Sequence, residues 1–173
     1  MSPSNTIVAA ARKVWSPRHH VPVVDVSAAK NVWTSPRRIL VVDDNLDNVR
    51  SLALLFNSMG HHVDYAINGT AATSMAKSMC PDIVFLDLLL PDGHGSIFCR
   101  EIRQRPELKD TRIFGITASN RMIDHQMAMD AGCDDVLLKP VAPLVYERLI
   151  AGDLSRRKLR EFIGSLKGKP ESG

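Results

Sequence analysis

The sequence predicts an α/β fold: a five-stranded parallel sheet, doubly wound, with helices on both faces and an extension at each end. Two observations carry this. From Arg38 to about Ile150, short apolar and β-branched runs alternate with helical patterns, with a period of about 25 residues. Three of the runs are nearly continuous in apolar residues, as parallel strands covered on both faces are.

The strand segments are 38–43 (RILVVD), 62–67 (HVDYAI), 82–87 (DIVFLD), 112–117 (RIFGIT) and 135–139 (DVLLK). Helices are expected near 46–59, 70–80, 94–104 and 121–131, with a fifth starting near 143. In the first of these Leu46, Val49, Leu52, Phe56 and Met59 recur at helical spacing, and Gly60 follows as a residue suited to the left-handed stop. Repeated βα units give parallel strands joined by right-handed crossovers. Five strands are too few to close an eight-stranded barrel, so the sheet is open. Ligands of such sheets bind beyond the carboxyl ends of the strands, where strand order reverses.

This pattern divides the 173 residues into an N-terminal extension over 1–36, a central domain over 37–150 and a tail over 151–173. Charge follows the same division. The extension carries four basic and one acidic side chain, the central domain 12 and 15, and the tail six and three, so an acidic body lies between basic ends. The extension repeats itself loosely as VWSPR at 14–18 and VWTSPR at 32–37. Trp15 and Trp33 leave two readings open: an arm that docks its rings, or a mobile leader. In the tail, Leu159, Phe162, Ile163 and Leu166 share one helical face opposite Arg156, Arg157 and Arg160, so an amphipathic helix is expected over 154–167, either extending the fifth helix or packing after a break at Gly152. Its basic side is read as a solvated face rather than a nucleic-acid contact.

Composition excludes several classes of protein. The apolar runs are only a few residues long, so no membrane span fits, and the start lacks the apolar core of a secretory signal, which points to the cytoplasm. Cys80, Cys99 and Cys133 are odd in number and lack C-x-x-C spacing, so small buried hydrophobes are expected rather than a zinc site. The pairs His19–His20 and His61–His62 are weak metal candidates, because neighbours on an extended segment point to opposite sides.

The chemistry lies in what ends the strands: Asp43 and Asp44 in VVDDN, Asp87 in VFLDL, Thr117 in GITAS and Lys139 in LLKPV. Any one of these has an ordinary explanation, such as a helix cap for the Asp-Asp pair. All of them falling at strand ends of one sheet does not. Magnesium takes hard oxygen ligands, and three carboxylates supply them. Phosphoryl transfer needs charge neutralised on three equatorial oxygens. A carboxylate can itself attack phosphorus to give an acyl phosphate, and Asp87, ending the central strand, is the expected nucleophile. Lys139 offers an ammonium and Thr117 a hydroxyl to the phosphoryl oxygens. The Lys139–Pro140 bond is a candidate cis peptide.

With these motifs in view, residues 38 to about 150 resemble the receiver domain of two-component response regulators. VVDDN at 41–45, DIVFLDLLLPDGHG at 82–95, GITA at 115–118 and AGCDDVLLKP at 131–140 carry the resemblance. It implies a flavodoxin- or CheY-like sheet of order 2-1-3-4-5, phosphorylation of Asp87, and Mg2+ held by Asp43, Asp44, Asp87 and the backbone carbonyl of Leu89. It further implies phosphoryl binding by Thr117 and Lys139, and a cis bond between Lys139 and Pro140. The implied donor is a histidine kinase or histidine phosphotransfer protein, and the implied output is a downstream protein target met at the face of the fourth helix, fifth strand and fifth helix. Homodimerisation through that face or the Trp-bearing arm stays open.

Three features depart from the family pattern. Gly93, His94 and Gly95 stand where methionine, aspartate and glycine are usual, so a looser loop is expected. Val136 occupies the switch position, where an aromatic that swings inward is common, and a valine cannot make that rotation. Leu89 replaces a side chain that is often polar and assists hydrolysis, so slow dephosphorylation is expected. The leading expectation is a single-domain response regulator that signals by phosphorylation-dependent protein contact and catalyses only its own phosphorylation and slow dephosphorylation. The alternatives are a magnesium-dependent phosphohydrolase with a carboxylate nucleophile, disfavoured by Leu89 where such enzymes need a second acid, and a nucleic-acid-binding regulator using the basic termini.

Overall fold

A computed structural model describes residues 35–152 and 156–167 of the chain. Trp15, Trp33, the His19–His20 pair and the end of the basic tail lie outside these residues, as do the side chains of Arg156, Arg157, Leu159, Arg160 and Leu166.

The main strands are β1 (Arg38–Val42), β2 (His62–Ala66), β3 (Ile83–Asp87), β6 (Arg112–Thr117) and β7 (Asp135–Leu138), and β4 (Leu89–Leu90) with β5 (Gly93–His94) forms a small separate hairpin. All pairs in the main sheet are parallel, in the order β2-β1-β3-β6-β7. Counted without the hairpin, this is the order 2-1-3-4-5.

The helices are α1 (Leu46–Ser58), α2 (Gly69–Met79), α3 (Ser96–Arg103), α4 (Met122–Asp130), α5 (Pro143–Ala151) and α6 (Arg156–Lys167). Asn45 caps α1 through its side-chain oxygen, which accepts from the N–H groups of Asp47 and Asn48. Gly60 follows that helix at φ +86°, a conformation that favours glycine. Pro143 opens α5 and Gly152, in the left-handed region, ends it.

Alternation along the strands sends side chains to two cores. Leu40, Val42, Val84, Leu86 and Ile113 face the layer of α2, α3 and Ala128 of α4. Ile39, Val41, Phe85, Phe114, Ile116 and Leu137 face α1 and α5, where Phe162 and Ile163 of α6 also pack. In the second core the Phe85 ring lies 5.2 Å from Phe56, 5.7 Å from Phe114 and 5.0 Å from Tyr146, centroid to centroid.

Cys99 and Cys133 are buried thiols, and Cys80 is half-buried. His61 is buried and accepts the Arg37 N–H at Nδ1, whereas His62 is exposed. Among the described residues no helix is long and apolar enough to cross a membrane.

Candidate functional site

The sheet register brings the acids together. Val42 lies opposite Leu86, so Asp43 and Asp87 leave their strands side by side. Asp43 continues the ladder one residue beyond β1, its N–H donating to the Ala66 carbonyl at 3.1 Å. Both acids are nearly covered, at 6% and 7% exposure, while Asp44 beside them is exposed. One carboxylate oxygen from each of the three lies within 4.8 Å of the others. Three such charges at one point repel, and a covered pair needs a counter-charge.

Lys139 supplies it. β7 ends at Leu138 opposite Thr117, and the Lys139 N–H donates to the Thr117 carbonyl at 2.8 Å, which sets the next side chain at the same end of the sheet. Its ammonium reaches back to Asp43 Oδ2 at 2.8 Å and Asp87 Oδ2 at 2.5 Å. Burial pulls this ammonium down, but the hydrogen bonds to Asp43 and Asp87 and their charges outweigh it, and its pKa lies above the usual lysine value. The Lys139–Pro140 bond is cis.

Further hydrogen bonds hold both carboxylates. Asp43 Oδ1 accepts from the Asn45 N–H at 2.9 Å and Oδ2 from the Asn48 side-chain amide at 3.2 Å. Asp87 Oδ1 accepts from the Leu89 N–H at 2.8 Å. Helix capping, the ordinary explanation for VVDDN, falls to Asn45. Thr117 is buried one residue beyond Ile116, the partner of Asp87. Its hydroxyl oxygen accepts from the Ser119 N–H at 3.0 Å. Val136 is half-buried on the same sheet face, and Leu89 is half-exposed.

The loop after Asp87 differs from the slack segment expected from Gly93, His94 and Gly95. Leu89 pairs with His94 and Leu90 with Gly93 in a hairpin. At its turn the Asp92 carboxylate accepts from the Gly69 and Thr70 N–H groups at the start of α2, both at 2.9 Å, and from the Thr70 hydroxyl. These backbone bonds hold the Asp92 carboxyl below its ordinary value, in keeping with an anion at a helix N-terminus. His94 Nδ1 meets the Ser96 hydroxyl at 2.8 Å. The hairpin also explains why α3 starts at Ser96 rather than near 94.

Gly95 is required by space. A Cβ there would stand 2.6 Å from the Asp87 carbonyl oxygen and 3.1 Å from the Leu88 Cα. Because those neighbours are backbone, Gly95→Ala is expected to destabilise the domain by about 1–3 kcal/mol, read from urea unfolding. An unchanged midpoint would show that the strand end yields freely.

Asn48, Ser119 and Asp92 were not singled out from the sequence. Asn48 alone left a trace, since it falls in the first helical turn after VVDDN.

An open parallel sheet with acids at its central carboxyl edge and a lysine reaching over from the end of an edge strand defines a class of signalling domain. The family profile of the response regulator receiver domain matches residues 39–150. The chain belongs to that family, whose members are signalling proteins of two-component systems. It is 32% identical to the response regulator PleD of Caulobacter vibrioides over 136 residues, which is 79% of this chain but 29% of that protein. It is 34% identical to the transcriptional regulatory protein AfsQ1 of Streptomyces coelicolor, over 75% of this chain and 56% of that protein. Thus it spans well under two thirds of these relatives.

Among solved structures, a putative response regulator from Chloroflexus aurantiacus matches with TM-score 0.62 and 31% identity, over 68% of this chain and 99% of that one. The CheX-CheY-BeF3-Mg+2 complex from Borrelia burgdorferi matches with TM-score 0.62 and 26% identity, over 69% and 91%. The chemotaxis regulator CheY4 of Vibrio cholerae, at 22% identity and TM-score 0.64 over 69% and 100%, shares the fold.

Proposed function

We propose that this receiver domain takes a phosphoryl group onto Asp87 from a histidine kinase or histidine phosphotransfer protein, and that the modified domain signals through protein contact. The observation that carries this is the Lys139 ammonium bridging Asp43 and Asp87. A cation hydrogen-bonded to a nearly covered carboxylate at the end of a central strand is what in-line attack on phosphorus needs. An Asp87 carboxylate oxygen forms the new bond to phosphorus as the bond from phosphorus to the donor's imidazole nitrogen breaks. The electron pair leaves with that nitrogen, which takes up a proton. Lys139 then pairs with a phosphoryl oxygen, and Thr117 donates its hydroxyl to another.

The carboxylates also suit Mg2+. Ligands of an octahedron with bonds of about 2.1 Å stand roughly 3–4 Å apart, and oxygens of Asp43, Asp44 and Asp87 within 4.8 Å need only a small closure to reach this. Those three residues would hold the ion together with the Leu89 carbonyl. When bound it neutralises charge gathering on the phosphoryl oxygens. That a similar structure, the CheX-CheY complex from Borrelia burgdorferi, was solved with BeF3 and Mg+2 supports a magnesium site in this domain.

Met122, Ile123, Met127, Leu138 and Leu144 are exposed on α4, β7 and α5. That apolar surface supports output to a protein partner there rather than to nucleic acid.

The test is acetyl phosphate or phosphoramidate with Mg2+, followed by intact mass. A single phosphoryl adduct that is lost in hydroxylamine is expected, and no adduct would overturn the reading. The adduct should be long-lived, because Leu89 offers attacking water no polar partner. A half-life of seconds would contradict that part, and sustained release of phosphate over many turnovers would favour a hydrolase.

A further inference from the structure

Cys99 and Cys133 are 34 positions apart in the chain, yet their Sγ atoms meet at 3.3 Å in the first core, with the Cys133 thiol donating to the Cys99 sulfur. Cys99 sits within α3. Cys133 lies in the turn between α4 and β7, where its N–H donates to the Ala128 carbonyl at 3.0 Å. The two residues are 0% and 2% exposed. Packing asks for two small apolar groups there, but only sulfur offers a bond between them.

Arg103 fixes the meeting. It follows Cys99 by four residues, which puts both on one face of α3. Its guanidinium holds both residues that flank Cys133: Nε donates to the Gly132 carbonyl at 2.9 Å, and one terminal nitrogen donates to Asp134 Oδ2 at 2.9 Å. The other terminal nitrogen donates to the Thr111 carbonyl at 2.6 Å. The turn is thus tied to α3 on either side of Cys133. The Arg103 and Asp134 side chains are partly exposed, at 23% and 38%, so the sulfurs lie close under a charged surface.

That charge acts on the pair. The hydrogen bond from Cys133, aided by the Arg103 guanidinium and opposed by burial, holds the Cys99 thiol below its ordinary value. The same bond and burial hold Cys133 above it. Since the thiolate is the reactive form, Cys99 is the attacking sulfur and Cys133 the resolving one.

We propose that Cys99 and Cys133 form an oxidisable dithiol site for small hydroperoxides, closing to a disulfide that ties α3 to the turn before β7. The Cys99 sulfur attacks one oxygen of hydrogen peroxide and the O–O bond breaks. Hydroxide leaves with the electron pair and takes the Cys99 proton to become water. Cys99 is then a sulfenic acid. The Cys133 sulfur attacks the Cys99 sulfur, the S–O bond breaks, and the departing hydroxide takes the Cys133 proton. Two thiols are oxidised to one disulfide as one peroxide is reduced to two waters. A disulfide bond is about 2.05 Å long, so each sulfur moves by only about 0.6 Å. Burial admits a peroxide and excludes a bulky disulfide such as oxidised glutathione. The pair stands at the amino end of β7, the opposite end from Lys139, and the inference does not depend on phosphorylation of Asp87.

Hydrogen peroxide on the reduced full chain tests this, followed by alkylation in denaturant, intact mass and peptide mapping without reductant. The expected product is a monomer lighter by about 2 Da before alkylation, in which Cys99 and Cys133 no longer alkylate and appear in one linked peptide pair. Oxidised glutathione should instead modify Cys80, which is half-buried, and leave the pair reduced. Cys133→Ala should stop at a sulfenic acid on Cys99, heavier by about 16 Da and trapped by dimedone. Cys99→Ala should leave Cys133 unreacted at the same dose. Full alkylation of Cys99 and Cys133 at a peroxide dose that oxidises Cys80 overturns the site, as does a bond from either to Cys80. Closure by oxidised glutathione as fast as by peroxide overturns the hydroperoxide as its substrate. Dimedone on Cys133 rather than Cys99 overturns the order of attack. The wild-type mapping needs no variant, so a substitution that fails to fold leaves the test in force.

Discussion

Asp87→Asn is expected to abolish phosphoryl uptake and leave the fold standing. The substitution is nearly isosteric at a strand end, and it removes the anionic oxygen that attacks phosphorus. Its neighbours are poor substitutes. Asp43 Oδ2 is held by both Lys139 and the Asn48 amide, and Asp44 is exposed beside the strand end rather than on it. Removing one of three clustered carboxylates also relieves like-charge repulsion. Lys139 keeps its bond to Asp43. The thermal midpoint should therefore not fall. Intact mass after acetyl phosphate with Mg2+ reads the first expectation and a melting curve the second. An adduct of wild-type yield on the amide variant would move the nucleophile to another residue.

Phe85→Ala should produce the largest loss of stability among core substitutions on the central strand, about 3–5 kcal/mol. Phe85 is fully buried two residues before Asp87, with the rings of Phe56, Phe114 and Tyr146 around it. These rings come from α1, β6 and α5, so a cavity there cannot collapse without moving three elements. Against a typical domain stability of about 5–15 kcal/mol, the deficit is a large share. Urea denaturation would read it as a lower midpoint with little change in slope. A loss below about 1 kcal/mol would mean that the cluster closes over the gap. Phe85→Leu should fall well short of the alanine effect, since it keeps most of the volume.

What the sequence made legible follows from the range of its signals. Strands such as VVDDN's RILVV and DIVFLD announce themselves because both faces are covered, so nearly every position is apolar. Residues at strand ends could be placed because a parallel sheet puts all carboxyl ends at one edge. Asp43, Asp87 and Lys139, far apart in the chain, meet there within hydrogen-bond distance of the lysine. The hairpin of Leu89–Leu90 with Gly93–His94 could not be read, because two residues are too short for any periodicity. Nor could the bond from Asp92 to the start of α2, which spans 23 positions to Gly69. Cys99 and Cys133 read as small hydrophobes, and their side-by-side placement at 3.3 Å depends on where α3 meets the turn between α4 and β7.

The strand order divides the labour between stiff and pliant parts. Asp43 and Asp87 extend from β1 and β3, each flanked by a strand on either side. Lys139 follows β7, which has a neighbour on one side only, and its four-carbon stem can swing. Chemistry that demands accuracy thus rests on the immovable middle of the sheet, and the periphery is left to yield when a new charge arrives.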